Sequence, residues 1–547
     1  MSADPRAEGP DRSSPVTAVD AAAAGTEPAV TGDGQLHVPR HTGLLWGAAT
    51  QWMAMGLSIL LGLTITPLII RTLGKEPYGL WGLVASFVGF YGMFDFGLSA
   101  AVSRFLGAAM GKRDLAEFNR VASTGKTLLT VAALFLLLAA LLVLKPAQSI
   151  LRIPEMYAGQ FQVLVILAAV TTAASMVLSI YGGALLASED FLFLNGLRML
   201  WAVMRSLASL AAVLAGYGVV GLVAANMLVT LVDGAVTWLR CRARLPQMRA
   251  SYFDASAPTA RALLGFGAAT MVVTVADMLR LKMDVTLVTR FQGLEATGFY
   301  TIALTVFGYF LRATLGPSLV MWPRLNKLQG RADLPALQGF FLQASHALSL
   351  CVAAVSGVLV GLAPLLIRLW LGPGYDLSAT VVRILVCGFF LDLATNLGIG
   401  SLYATARHRY YALQNSIEAV LCFGSALLLG SMFGMLGVAT GLVIPIVLVK
   451  LTVQPWYVTR NLQVRWTAYW LRTVGAPSLM MGTLAGGLAL AEHQLTGGHW
   501  GASLLLGLAS LLLAAVIGWH LVLDARDRSW ALARIAGAMR RRVVRAA

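Results

Sequence analysis

The sequence predicts an all-α polytopic membrane protein of about fourteen transmembrane helices, two six-helix sets followed by two additional helices. Three observations predict it. Of 547 residues, 58% are hydrophobic and 12% charged, where soluble domains carry about 25% charged residues; the mean hydropathy is +0.75. Apolar runs recur along nearly the whole chain, each reaching the roughly 20 residues that a helix needs to span a bilayer. Turn glycines of the first half also reappear in step in the second half. A soluble fold cannot bury this much apolar surface. Continuous apolar stretches lack the alternating polarity of barrel strands, so the spans are helices.

Residues 1–40 are rich in Ala, Pro, Gly, Asp and Thr and lack the apolar core of a signal peptide, which predicts a disordered cytoplasmic tail. Residues 41–240 form a first lobe, with apolar runs near 44–70, 78–107, 117–144, 158–187, 191–216 and 218–239. A basic cytoplasmic linker follows at 241–262. Residues 263–460 form a second lobe, with runs near 263–289, 297–323, 337–371, 378–405, 409–431 and 435–459. Residues 461–523 add two more, near 466–491 and 499–523. The last segment, 524–547, sets Trp530, Leu532, Ile535, Met539 and Val543 among arginines, the pattern of an amphipathic helix on an anionic inner leaflet.

The formal net charge of +16 would point a soluble protein toward nucleic acid. Here the basic residues collect in alternate loops: Lys112, Arg113 and Arg120, then Arg242, Arg244, Arg249 and Arg261, then Arg324, Lys327 and Arg331. The opposite loops hold few. The bias predicts cytoplasmic termini and no nucleic-acid partner. One loop breaks the pattern: 188–190, assigned to the same side, carries Glu189 and Asp190. Cys241, Cys351, Cys387 and Cys422 form no CxxC or metal spacing, which predicts packing roles and no metal.

Arg71-Thr-Leu-Gly74-Lys-Glu76-Pro-Tyr-Gly79-Leu-Trp81 has a counterpart 219 residues on, Arg290-Phe-Gln-Gly293-Leu-Glu295-Ala-Thr-Gly298-Phe-Tyr300. The same offset pairs Gly89 with Gly308, Gly97 with Gly316 and Ser99 with Ser318, and a similar one pairs Gly218 with Gly434. Because each half has an even number of spans, the halves enter the membrane in the same direction. That predicts a parallel repeat with a central cavity between lobes, a layout suited to alternating access.

The stretch from Arg71 to Arg104 carries a hairpin of the form LG-x-x-x-YG-x-W (Leu73, Gly74, Tyr78, Gly79, Trp81) and then D-x-GL-x-x-A-x-x-R (Asp95, Gly97, Leu98, Ala101, Arg104). It resembles the polysaccharide flippases, the Wzx-like polysaccharide transporter family of the multidrug/oligosaccharidyl-lipid/polysaccharide (MOP) superfamily. Asp284-Val-Thr-Leu-Val followed by Gly298-Phe-Tyr300 is similar to the family's second half, and the likeness in hydropathy extends over about residues 42–460. The resemblance implies a MATE-like, V-shaped pair of six-helix bundles in the bacterial inner membrane. It implies movement of undecaprenyl-diphosphate-linked oligosaccharide from the cytoplasmic to the periplasmic leaflet for O-antigen, capsule or exopolysaccharide synthesis. Implied partners are the lipid-linked oligosaccharide, a polysaccharide polymerase and glycosyltransferases, with no cofactor. The motif residues Gly74, Tyr78, Gly79, Asp95, Gly97 and Arg104 are expected to be structural, and the two extra helices are similar to those of lipid II flippases.

An ionisable side chain at the centre of a span costs about 2.5–3.5 kcal/mol on insertion scales, so each marks a pairing, a wet cavity or a function. Arg198 and Arg205 are seven residues apart, on one helical face. Asp277, Arg280, Lys282 and Asp284 crowd one span, and Arg312 lies in the next. One reading makes Arg198, Arg205, Arg280, Lys282 and Arg312 a cationic substrate-binding cavity, since guanidinium groups match phosphate oxygens; the other makes them structural ion pairs. Asp277 and Asp284 either pair with Arg280 or couple transport to a cation. Glu418 and Asp233 are further proton-site candidates, and Tyr300, Tyr309 and Phe90 could stack on sugars. No P-loop or Gly-x-Ser-x-Gly motif is present, and no catalytic residue is expected. Alternatives are a lipid II flippase or a drug exporter of the same superfamily; cationic drugs favour an acidic cavity, whereas this chain's span charges are net basic.

Overall fold

The computed structural model describes residues 44–331, 333–405 and 407–494, together with residues 30–31, 35–36, 501, 505, 507 and 509. In the first tail a short antiparallel pair, β1 (Val30–Thr31) with β2 (Gln35–Leu36), is described. The rest of the tail, most of the span expected at 499–523 and the basic segment 524–547 lie outside the described residues. The main elements of the described residues are helices: α1 (Leu44–Leu73), α2 (Lys75–Tyr91), α3 (Leu98–Lys112), α4 (Leu115–Ile150), α5 (Glu155–Ala187), α6 (Phe191–Leu214) and α7 (Gly218–Arg244). After the linker come α8 (Ala257–Leu281), α9 (Met283–Gly330), α10 (Leu334–Leu371), α11 (Asp376–Ala394), α12 (Asn396–Ala404), α13 (His408–Leu451), α14 (Val453–Asn461), α15 (Trp466–Trp470) and α16 (Ala476–Gln494).

Ten stretches among the described residues are long and apolar enough to cross a membrane, or eleven if the bent α2–α3 pair is one span. Two of them, Thr274–Gly330 and Arg409–Asn461, contain internal breaks, at Gly293 and Gly434. The second expected run is not one rod: α2 and α3 meet at 50°. Phe96 and Gly97 turn into the left-handed region there, and Asp95 Oδ1 accepts from the Ser99 hydroxyl (2.7 Å) and amide (3.2 Å), capping the new helix. The seventh expected run, 263–289, is likewise interrupted at Lys282, between α8 and α9.

Helices α1–α7 form one bundle, with α1 along α6, α5 between α4 and α7, and α3 against α4 and α5. Helices α8–α13 form a second, with α13 against α8, α9 and α11, and α10 against α9 and α11. Leu134, Leu138, Leu141 and Leu142 of α4 remain exposed, as a lipid-facing surface requires. The linker is strapped along α4: the Asn119 side chain accepts from the Arg249 amide (2.8 Å) and donates to the Gln247 carbonyl (3.2 Å), and Lys126 Nζ donates to the Ala250 carbonyl (3.1 Å). The acidic 188–190 loop is also accounted for, because Asp190 pairs with Arg240 (3.0 Å) and Arg244 (3.7 Å) at the end of α7. The helix α16 docks on α10 where Gly357 and Gly361, a G-x-x-x-G stripe, lie against Met481 and Ala485.

The bundles join through α2 and α9. Gly74 (φ 84°, ψ 173°) and Gly293 (φ 80°, ψ −171°) share a backbone conformation open essentially to glycine alone. Beyond each, the helices cross closely. A Cβ at Gly79 would strike the Leu294 carbonyl and Gly298; a Cβ at Gly298 would strike the Lys75 carbonyl and Gly79. The contact is reciprocal. At its rim, Lys75 Nζ lies 3.9 Å from Glu295 and 4.6 Å from the centre of the Phe299 ring, a charge pair reinforced by cation–π attraction. We expect Gly79→Val to lower stability by about 1–3 kcal/mol through overpacking, read as thermal unfolding in detergent. Gly308→Ala, in open space on the same helix, should leave the midpoint unchanged or raise it.

Candidate functional site

A cavity of about 650 Å³ lies inside the first bundle, walled by α1, α2, α5, α6 and α7. The α6 helix brings Arg198, Trp201 and Arg205 to it on one face, by their three-, four- and seven-residue spacing. Across from them α7 presents Asn226 and Asp233, while Tyr78 and Trp81 come from α2 and small hydroxyls from α1 and α5. Arg198 Nη1 donates to Asn195 Oδ1 (3.3 Å). Asp233 faces both guanidinium groups electrostatically, with Trp201 and Thr237 beside it. The Trp201 indole N–H neighbours that carboxylate but is buried without hydrogen-bond geometry to any acceptor. Asn226 Nδ2 is spent on Ser209 Oγ (3.0 Å) and the Leu222 carbonyl (2.8 Å), which leaves its side-chain oxygen for the chamber. The arrangement can receive a polar, anionic group.

The second bundle treats charge differently. Arg280 of α8 donates from Nη1 to Glu418 Oε1 (2.7 Å) and from Nη2 to Asp392 Oδ2 (3.3 Å). Lys450 lies 2.9 Å from Asp392 Oδ1 and 3.5 Å from Glu418 Oε2. All four side chains are buried, and the two acids balance the two bases. Lys450 also donates to Gln454 Oε1 (2.8 Å), whose amide nitrogen reaches the Thr395 carbonyl (3.1 Å). The quartet ties α8, α11 and both arms of α13 together.

The five expected cavity cations therefore do not converge. Arg198 and Arg205 share the first-bundle cavity, and Arg280 is held in the quartet. Lys282 is exposed at the break between α8 and α9, its methylenes over Gly89 of α2. Arg312 is exposed beside Tyr309, whose hydroxyl fits against α1 only because residue 62 is glycine. Arg280 takes its partners from distant helices, so the expected local pairing with Asp277 or Asp284 is not what forms. Asp277 Oδ1 accepts from Asn415 Nδ2 (3.2 Å). Asp284 is buried in the first turn of α9, accepts from the Val285 amide (2.9 Å) and neighbours Tyr300, which is fully buried and so unavailable for stacking. Of the motif residues, Asp95 caps α3, while Arg104 leaves its own bundle to lie over the Phe266 ring of α8 (4.6 Å).

Asp392 and Lys450 escaped the sequence reading, although each is a charged residue inside an apolar run, the same signal that flagged Arg280. Trp201 and Asn226 escaped it because uncharged residues on an apolar helix carry no such signal.

Residues 44–329 match the family described as polysaccharide biosynthesis protein. The chain belongs to that family. Among named relatives it is 22% identical to a putative O-antigen transporter of Shigella flexneri over 421 residues, 75% of this chain and 96% of the relative. It is 21% identical to the uncharacterized membrane protein EpsK of Bacillus subtilis (strain 168) over 60% of this chain, spanning 65% of that protein's length. Its fold is similar to the lipid II flippase MurJ in an inward closed conformation (TM-score 0.65, 12% identity, 87% of this chain and 99% of that one). It is also similar to an inward-facing MATE transporter of the MOP superfamily (TM-score 0.64, 16% identity, 76% and 99%). This family member is thus a multi-pass membrane protein on a MOP-superfamily fold.

Removing one member of a buried ion cluster leaves an uncompensated charge, a loss of about 3–5 kcal/mol, whereas removing an opposite pair together is far milder. Glu418→Gln should therefore lower the unfolding midpoint of the detergent-solubilised protein substantially. The double variant Glu418→Gln with Lys450→Met, which leaves Arg280 and Asp392 balanced, should recover most of it.

Proposed function

We propose that the protein is a flippase that moves undecaprenyl-diphosphate-linked oligosaccharide from the cytoplasmic to the periplasmic leaflet of the bacterial inner membrane. The first-bundle cavity carries this reading: two guanidinium groups against one carboxylate, in a chamber lined with hydroxyls and indoles inside a lipid-facing bundle. Such a chamber matches a hydroxylated anionic cargo and opposes a cationic drug. Family membership and the O-antigen transporter relative support the same cargo class. The MurJ-like fold keeps lipid II as the second reading.

Cargo binds while the bundles are closed at the Lys75–Glu295 end and leaves when that contact and the α2–α9 crossing loosen, the cycle of alternating access. A diphosphate with roughly two negative charges gains about 4–5 kcal/mol on leaving an interior 100 mV negative, so the membrane potential alone drives export. Glycosyltransferases would supply the cargo and a polymerase consume it. In liposomes holding a fluorescent lipid-linked sugar, transfer between leaflets should exceed that of protein-free vesicles and speed up with an inside-negative potential when the cargo starts inside. Transfer no faster than in empty vesicles, across neutral and acidic glycans, would sink the flippase.

A further inference from the structure

Helix α4 is 36 residues long, more than a bilayer core requires. Its exposed apolar face begins at Val131 and continues through Leu134, Phe135, Leu138 and Leu141. From Val131 to its end at Ile150 the helix measures about 30 Å, the thickness of that core. Residues 115–130 therefore stand outside the hydrocarbon, and the linker is strapped along them. Besides the bonds to Asn119 and Lys126, Ser123 Oγ donates to the Arg249 carbonyl (3.1 Å) and accepts from the Ser251 amide (3.0 Å). Thr124 Oγ1 accepts from the Ser256 amide (3.0 Å). The strap thus descends α4 and climbs back, and its turning point is Tyr252, whose hydroxyl lies 3.3 Å from that of Thr130. Next to it, where the apolar face of α4 begins, Phe253 is 98% exposed. A segment pinned by this many hydrogen bonds holds that ring where aromatic side chains enter a membrane.

The charges at the same level match a phosphate. Lys126 Nζ gives one N–H to the Ala250 carbonyl (3.1 Å) and lies 4.2 Å from the centre of the Tyr252 ring, with donors left over. The Ser256–Thr124 bond sets the start of α8 level with Thr124. Arg261, five residues on, comes about 7 Å lower, near the level of Thr130. It is exposed, and neither base makes an ion pair among the described residues. The acids nearby are Asp114, which caps α4, Glu117, held by Lys112, and Asp254 on the strap itself. We propose that the strap is a docking surface for an anionic phospholipid of the membrane leaflet on the linker's side, with Phe253 among the acyl chains and Lys126 and Arg261 on the headgroup phosphate. The loop charges make that the inner leaflet. A zwitterionic headgroup brings its own ammonium against the two bases, and an anionic one does not. A lipid seated there ties the linker and the first turns of α8 to α4, so leaflet composition acts on the joint between the bundles. The ligand is a lipid of the membrane, not the cargo, and the surface stands whether or not the chain flips an oligosaccharide.

The test is lipid binding to the full chain in detergent, read by native mass spectrometry. The probes are phosphatidylglycerol, phosphatidylcholine with the same acyl chains, and glycerol phosphate as the headgroup without chains. One base at an anionic headgroup is worth a factor of about five. Phosphatidylglycerol should therefore bind about fivefold or more tighter than phosphatidylcholine. Arg261→Gln should remove about fivefold of phosphatidylglycerol affinity and leave phosphatidylcholine unchanged, whereas Phe253→Ser should weaken both lipids alike. Asp254→Asn should raise phosphatidylglycerol affinity about fivefold. Lys126→Gln also loosens the strap, so Arg261, which no strap bond uses, carries the decision. Arg120→Gln, about 15 Å above Thr130 along α4, should change nothing. Equal affinities for the two lipids in the wild type would overturn the docking surface, as would Phe253→Ser binding both as the wild type does. An Arg120→Gln loss as large as that of Arg261→Gln would assign the preference to diffuse surface charge and sink the site. Glycerol phosphate displacing phosphatidylglycerol at equal concentration would make it a site for a free phosphate instead.

Discussion

Arg280, Asp392, Glu418 and Lys450 share one volume that water scarcely enters, and the geometry of the second bundle follows from keeping them together. None of these side chains is tolerable alone at that depth, because an isolated ion in a low-dielectric interior carries a desolvation penalty of several kcal/mol. Each is placed by a different backbone need. Arg280 is the penultimate residue of α8, two before the break at Lys282, Asp392 precedes the end of α11, and Glu418 and Lys450 stand on opposite arms of α13 around Gly434. Closing the quartet fixes the angle of that fold-back and anchors α8, whose first half reaches the other bundle through Phe266 and Gly267. The cluster is a strong candidate for specifying one arrangement of the bundle, since an alternative packing would strand a charge.

The crossing of α2 and α9 is the other fixed point. Its closeness depends on Gly79 and Gly298 having no side chains, and its approach angle depends on the turns at Gly74 and Gly293. Around it Ile65, Ile69 and Ile70 of α1 pack with Ile302 of α9 and Leu371 of α10, and polar contacts lie beside them: Lys75 with Glu295 and two rings, and Trp370 Nε1 donating to the Leu63 carbonyl (2.6 Å). The lobe interiors are packed with large buried side chains such as Phe118, Phe161 and Phe390.

The sequence makes the spans legible because the bilayer demands length and apolarity of every one, and the turns at Gly74, Gly293 and Gly434 are legible because their counterparts recur at a fixed offset. Arg198 and Arg205 were readable as a pair because their partnership is local, two turns of one helix. Arg280 was readable as significant and not as to its partners: Glu418 and Asp392 lie 138 and 112 residues away, and spacing along one helix suggested Asp277 and Asp284 instead. Helical periodicity reports which residues share a face and nothing about what that face meets. For the same reason the motif marked Arg104 as structural without showing that it reaches across to α8. The bends at Asp95 and Lys282 were hidden inside apolar runs, because a polar break inside a protein-lined region leaves the average hydropathy intact.

Two bundles with matching turns thus diverge in how they treat charge. In the second the buried quartet is matched internally, two against two, so neither of its bases has capacity left to hold a cargo without first breaking a pair at several kcal/mol. The first places the Asp233 carboxylate within electrostatic reach of Arg205, whose guanidinium makes no ion pair among the described residues. On the flippase proposed above, the first bundle is the one that takes and releases the ligand. If both halves carried an open cationic chamber, an anionic cargo would be bound twice and would leave slowly. If both were neutralised, the membrane potential would act on a cargo the protein had no means to retain.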